Sequence, residues 1–331
     1  MSGTARDGAA QAARRFRFVL LEKFTLVSFA NALECLRLAN RVSGKALYEW
    51  VLSGPQDKVA TCSLGISIPL DEPLGTPRSG RDDVILVCGG LDIRRTSTRE
   101  VLNWLRREAR KGVTLGGLCT GAHTLAMAGL LDGRQATIHW ENHDSFTETF
   151  PRVRLSKAVF TVDENRLTAA GGAAAIDLML HLIARDHGAE LAKEVADQQL
   201  YAAVRTDRDS QRLSVPARIG VRHPRLASVI RMMEANTEEP ISPARLAADA
   251  GMSTRQLERL FRRYLNRSPK RYYMELRLQK ARNLLMQTDM SVINVALACG
   301  FASPSHFSKC YRARYNTTPY RERGLQGTAE R

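Results

Sequence analysis

A chain of 331 residues exceeds what one hydrophobic core usually organises, so two domains are expected and a disulfide-stapled miniprotein is excluded. With 44% apolar residues, and 49 Lys and Arg against 34 Asp and Glu for a net charge of +15, the chain reads as soluble, globular and basic rather than disordered. Six cysteines without paired spacing suggest neither a disulfide framework nor a metal knuckle, so a reducing compartment is expected and no metal or cofactor is implied.

Residues 1–14 are small and polar with no apolar signal core, and are expected to be a disordered tail at the true start of the chain. From there to residue 201 the apolar runs FRFVLL, YEWVLSG, DVILVCGG and VTLGGLC alternate with helical patterns. That alternation predicts an α/β sandwich, a mostly parallel sheet covered by helices, as a domain over 15–201. Trp50 and Trp104 read as core. In such folds ligands sit beyond the carboxyl ends of the strands, which singles out CGG at 88–90, GLCTG at 117–121 and IHWEN at 138–142. GLCTG has the small-x-nucleophile-x-small form of a nucleophile elbow, with Cys119 where a helix dipole favours the thiolate. His139 and Glu141 are positioned to converge on it. On spacing alone, catalysis and inert packing stand level.

The run AAGGAAAIDLMLHLIA is interrupted by Asp177 and His181 and is shorter than the ~20 residues a membrane span needs, so no membrane partner is expected. It opens one long helix through Tyr201, whose Ile176, Leu180 and Ile183 stripe covers the sheet or makes a dimer. Residues 202–222, mixed in charge and punctuated by Pro216, read as a linker.

Beyond residue 220 the chain holds 20 Lys and Arg against 9 Asp and Glu, a surplus of 11, whereas everything before carries a surplus of only 4. That concentration is the electrostatic footprint of a nucleic-acid-binding module. Within it, ISPARLAADAGMSTRQLERLFRRY from Ile241 rhymes with SVINVALACGFASPSHFSKCYRARY from Ser291. Each has a short helix (Leu246 and Ala250; Val292, Val295, Ala296 and Cys299), a turn glycine (Gly251; Gly300) and a second helix capped by Ser253 or Ser303. The second helices bury Leu257, Leu260 and Phe261, then Phe307, Cys310 and Tyr311. Their open faces carry Thr254, Arg255, Gln256 and Arg259, then Pro304, Ser305, His306 and Lys309, side chains of the kind that read base edges in double-stranded DNA. Between the units Met274, Leu278, Ala281 and Leu285 form one stripe of a connecting helix. A rigid connector presents both reading helices to one side of a duplex, where major-groove faces recur every ~34 Å.

The tandem pattern over 223–323, ending in GFASPSHFSKCYRARYNTTPYRER, resembles the AraC/XylS family of bacterial transcription regulators, with 324–331 left as a tail. GLCTGAHTLAMAGLLDGRQATIHW resembles the DJ-1/PfpI branch of the class I glutamine-amidotransferase-like fold, in the form fused to AraC domains in GlxA-type regulators. The resemblance implies a flavodoxin-like sandwich followed by an all-α domain with two helix-turn-helix units. Two departures stand out: the histidine that follows the cysteine in hydrolytic members is Thr120 here, and FTLVSFANA at 24–32 lacks the carboxylate that pairs with the thiol in DJ-1-like members, with Glu22 slightly upstream. They imply a retained pocket without the chemistry, in which Cys119 and His139 are vestigial.

VSFANALECLRLAN and HWENHDSF resemble regulators of bacterial arginine, glycine betaine or carnitine catabolism. The expected protein is therefore a cytoplasmic activator that binds promoter DNA, probes a small nitrogenous effector, works with RNA polymerase and forms a homodimer. Phe24, Gly90, Cys119, Thr120, His139, Trp140 and Glu141 are its candidate ligand residues, since a cationic ligand wants aromatic faces and a carboxylate. The rivals are an active cysteine amidase, peptidase or glyoxalase-like enzyme with an autoregulatory DNA-binding domain, and a nucleoid-associated architectural protein with no sequence preference.

Overall fold

Apolar runs that bury both faces build the N-terminal sheet. In the computed structural model, which describes residues 12–56, 58–75, 80–212 and 214–328, the chain divides into two units between Gln211 and Arg212. The first unit opens with β1 (Arg14–Leu20), α1 (Leu26–Ser43), β2 (Tyr48–Gly54), the hairpin β3 (Val59–Thr61) and β4 (Ser67–Pro69), and β5 (Glu72–Pro73). It continues with β6 (Val84–Cys88), α2 (Ile93–Thr96), α3 (Arg99–Arg110), β7 (Thr114–Leu118), α4 (Gly121–Met127) and β8 (Gln135–Ala136). A single turn of 3-10 helix (Trp140–Asn142), α5 (His143–Thr149), β9 (Arg154–Leu155), β10 (Phe160–Asp163), β11 (Arg166–Ala169), α6 (Ala174–His187) and α7 (Ala189–Gln198) complete it.

The main sheet has seven strands in the order β10-β11-β7-β6-β1-β2-β5, parallel except for β10 against β11. Phe16, Phe18 and Leu20 of β1 and Val84, Leu86 and Cys88 of β6 face one core, while Val19, Ile85 and Val87 face the other. This is the doubly covered, flavodoxin-like sandwich, and both-face burial is why its strands read as continuous rather than alternating apolar runs. The chain goes to β2 on one side of β1 and to β6 on the other, so the order reverses between β1 and β6. The crevice over their carboxyl ends is where this topology places a ligand.

Several boundaries differ from the expectations. β1 begins at Arg14, inside the stretch expected as a tail, and the rest of that expectation, residues 1–11, lies outside the described residues. The helix expected to run unbroken to Tyr201 is two helices, because Gly188 at φ 95° turns the chain between α6 and α7. Ile176, Leu180 and Ile183 are buried against the sheet. Trp104 is buried, and Trp50 is partly buried against the core. No described helix is long and apolar enough to cross a membrane.

The second unit is helical: α8 (Val215–Ile219), α9 (Pro224–Ala235), α10 (Pro243–Asp249), α11 (Thr254–Leu265), α12 (Pro269–Gln287), α13 (Val292–Ala298), α14 (Pro304–Tyr315) and α15 (Pro319–Thr328). Since α15 extends through Thr328, part of the expected 324–331 tail is helical. Helix starts are written into the local sequence. Ser242, Ser253, Ser268, Ser291 and Ser303 each accept a hydrogen bond from the backbone N–H three residues on, and Pro243, Pro269 and Pro304 follow three of them at a position that needs no N–H. Two cores result. Leu246, Leu257, Phe261 and Tyr273 pack with α9, and Leu278, Ala281, Leu285, Val295, Phe307 and Tyr311 pack together, so α12 serves one core with its first half and the other with its second.

Candidate functional site

Cys119 lies between β7 and α4 beside the crevice, at φ 58°, the left-handed conformation of a nucleophile elbow. Holding a residue with a Cβ there costs about 1–2 kcal/mol, so the surrounding packing must impose it. Its N–H donates to the Ala169 carbonyl at 2.9 Å. Gly171, at φ 104°, closes over the thiol so tightly that a Cβ on it would lie 2.9 Å from Cys119 Cβ and 3.1 Å from Sγ. The side chain that reaches Sγ is Thr25, whose hydroxyl lies 3.4 Å away. Glu22 turns elsewhere: its carboxylate accepts from the Thr61 N–H at 3.2 Å and the Gln56 amide at 3.3 Å, bracing the β3–β4 hairpin.

The sequence suggested that the helix dipole would favour the thiolate. Burial wins instead and pushes the Cys119 thiol up, against smaller downward effects from Thr25 and the Thr120 N–H. A raised pKa keeps the thiol protonated at neutral pH. His139 makes no hydrogen bond to the thiol among the described residues. Its Nδ1 lies 3.9 Å from the Glu141 carboxylate and its ring packs beside Trp140 with centroids 5.7 Å apart. Burial holds His139 below the usual histidine range, with Glu141 opposing.

The remaining candidates divide between the site and its support. Phe24 is fully buried with its ring against Phe29, so it offers backbone, not an aromatic face, beside Gly90. Thr120 donates to the Gly90 carbonyl at 2.8 Å and ties two loops together. Trp140 is 37% exposed and Glu141 is exposed beside it. Sequence reasoning missed Thr25, Ser28 and Asn31. Ser28 accepts from the Gly172 N–H at 2.8 Å, and Asn31 donates to the Gly172 carbonyl at 3.1 Å, so this stripe fixes the glycine wall over Cys119. A signal existed: polar residues at i, i+3 and i+6 where the chain enters α1, set among Phe29, Ala30 and Ala32.

In the second unit the two helix-turn-helix copies superpose in burial as well as in sequence. Leu257 and Phe261 are buried, as are Phe307 and Tyr311 fifty positions on, while Thr254, Arg255, Gln256 and Arg259, and Pro304, Ser305, His306 and Lys309, are all exposed. Gln256 has a second task, since its side-chain oxygen accepts from the Ser253 N–H at 2.8 Å to close a capping box. Cys310 is only half-buried, with its sulfur 3.4 Å from the His306 ring nitrogen. The two turns differ. Gly300, at φ 71°, presses so closely on the α9–α10 loop that a Cβ would lie 2.6 Å from the Glu238 carbonyl oxygen, whereas Gly251, at φ 63°, faces open space. Arg277 of α12 donates to the Cys299 and Gly300 carbonyls at 2.7 and 2.6 Å and stacks 4.2 Å over Phe301.

Comparison with known proteins agrees with this geometry. Residues 17–185 match the DJ-1/PfpI family and 246–324 match a helix-turn-helix domain. The chain is 46% identical over 306 residues to the HTH-type transcriptional regulator GbdR of Pseudomonas aeruginosa, covering 92% of this chain and 83% of that protein. It is 45% identical over 310 residues to CdhR of the same organism, covering 94% and 91%. A crystal structure of an AraC family transcriptional regulator from Pseudomonas putida, 32% identical, aligns over 56% of this chain and 99% of that one with a TM-score of 0.50. The chain belongs to the GlxA-type family of helix-turn-helix transcriptional regulators, in which a DJ-1/PfpI domain precedes an AraC-type DNA-binding domain.

Proposed function

We propose that this regulator activates transcription in the cytoplasm by binding promoter DNA as a homodimer, engaging RNA polymerase, in response to a small nitrogenous cation held without turnover beside Cys119. Thr254, Arg255, Gln256 and Arg259, with Pro304, Ser305, His306 and Lys309, form its reading surface. The ligand contacts are Trp140, Glu141, His139 and Cys119, with the Phe24 and Gly90 backbones and Thr120 shaping the crevice. Arginine, or a quaternary amine such as glycine betaine or carnitine, suits an exposed indole beside a carboxylate. The observation that carries the non-catalytic reading is a buried thiol held protonated, whose hydrogen-bonding neighbour is a hydroxyl and not a base.

The strained elbow at Cys119 favours a second reading, an active cysteine amidase, peptidase or glyoxalase-like enzyme. A thermal-shift panel of arginine, glycine betaine and carnitine on the full chain, wild type beside Cys119→Ser, separates the two. A ligand at a hundredfold its Kd adds about 2.7 kcal/mol to native stability. The sensor reading requires one amine to stabilise both proteins and be recovered unchanged; consumption by wild type alone, or no stabilisation at all, defeats it. Because the thiol pKa is raised, alkylation of Cys119 is expected to be slow at neutral pH and to accelerate only above the ordinary thiol range. A fast, pH-independent reaction near neutrality points to the enzyme.

A further inference from the structure

The stretch that leads from the first unit toward the second does not hang free of the first. Asp177, in the first turn of α6 and almost wholly buried, accepts from the Tyr201 hydroxyl at 3.0 Å, the Arg205 N–H at 2.8 Å and the Arg205 guanidinium at 2.7 Å. Six residues on, the Gln211 amide nitrogen lies 2.9 Å from the Ile138 carbonyl, 2.8 Å from the Thr137 hydroxyl and 3.1 Å from the Ala158 carbonyl. Between these anchors the backbone pairs like an added edge strand, with Val159 N–H on the Asp209 carbonyl at 2.9 Å and Gln211 N–H on the Lys157 carbonyl at 3.2 Å.

Both anchors sit directly behind walls of the Cys119 site. Asp177 is on the helix that Gly171 and Gly172 lead into, and Ile138 immediately precedes His139 and Trp140. The paired backbone makes a third link: the Val159 carbonyl that backs the added strand accepts from the Ala170 N–H at 2.8 Å, one residue before Gly171. One end of the latch is imperfect, because Gln211 Oε1 is buried without a partner. A buried unpaired acceptor offsets part of what the amide nitrogen gains.

We infer that residues 201–211 are a latch whose closure is coupled to the Cys119 crevice, so that drawing the Trp140–Glu141 turn toward the thiol takes the Ile138 carbonyl off Gln211 and frees the stretch. This rests on the sensor reading above and supplies its output. A freed 202–211 stretch spans up to about 35 Å, which loosens the tether of the DNA-binding unit. Coupling of this kind is reciprocal: whatever the crevice does to the latch, the latch does to the crevice.

Reciprocity gives a test that needs no effector. The full chain carrying Gln211→Ala is compared with wild type by trypsin cleavage after Arg205, Arg208 and Arg212, and by iodoacetamide labelling of Cys119 located by peptide mass. Asp177→Asn serves as the variant at the other anchor, and melting temperature verifies the fold of each. Opening the latch is expected to speed cleavage about tenfold and, because it lets the Trp140–Glu141 turn settle toward the thiol, to slow Cys119 labelling about fivefold. Faster cleavage with unchanged labelling overturns the coupling, and unchanged cleavage overturns the latch. If the amine panel registers nothing while Gln211→Ala still moves both readouts, the latch and its coupling to the crevice stand and the sensor reading falls.

Discussion

The two helix-turn-helix units bury matching positions yet hold their turns by different means. Four residues, 250–253, join the helices of the first and five, 299–303, those of the second. Gly251 turns in open space, so the first turn is a matter of backbone freedom alone. Gly300 is wedged against Glu238 and Pro240, and Arg277 clamps the adjacent Cys299 and Gly300 carbonyls at the start of the turn. Sequence similarity between the copies hides this asymmetry. The glycine of the first copy can be varied without touching a neighbour, whereas the turn of the second is held by the loop before α10 and by an arginine of α12.

The sharpest way to break that comparison is at the glycines. Gly300→Ala combines left-handed strain with a backbone clash and is expected to cost about 3–4 kcal/mol in urea unfolding. Gly251→Ala meets strain only and is expected to cost about 1 kcal/mol; equal losses would mean the wedge is unimportant. Next comes Arg277→Ala, which removes two hydrogen bonds and the stack on Phe301 and is expected to cost about 2 kcal/mol. Its effect should vanish in a Gly300→Ala background if both act on the same contact, and full additivity would contradict that. On DNA, Arg259→Ala is expected to lose about 1–2 kcal/mol at a defined base position and to relax preference there, as an arginine read bidentately would. The smallest effect belongs to Lys309→Ala, a uniform weakening across sequences with the salt slope reduced by about 0.9, and sequence-dependent losses would reassign that lysine to base readout.

The fold and the exposed faces of α11 and α14 were legible because their signals are local. Ser253 and Ser303 announce helix starts, Leu257 and Phe307 mark matching buried faces, and FRFVLL and DVILVCGG alternate with helical patterns as strands of a covered sheet do. The cysteine elbow was legible in position, but the protonation of its thiol was not. GLCTG located the elbow, yet the Cys119 thiol is pushed up by burial, with Gly171 closing over the sulfur from a distant part of the chain against the smaller downward effect of the Thr25 hydroxyl. Phe24 was read as a ligand contact because loop residues face crevices, but its ring found Phe29 in the core. Composition likewise could not reveal that a polar stretch with few large apolar residues is pinned by Asp177 and Gln211, since polar anchors leave no hydrophobic pattern.

The serine caps carry a consequence for the order in which the protein acquires its parts. Five helices of the second unit, α10 to α14, start on a serine within three residues of themselves, and a helical unit of this kind belongs to the faster, lower-contact-order class. The first unit must bring β1 onto β6 and β7 onto β11 across long intervening segments before its sheet exists. A chain whose first unit is slow to fold, or is damaged by mutation, is therefore expected still to assemble its helical unit. Under the proposed function, lesions in the two units should differ in kind: those in the helical unit abolish promoter binding, and those in the first unit leave occupancy that no longer answers to the effector.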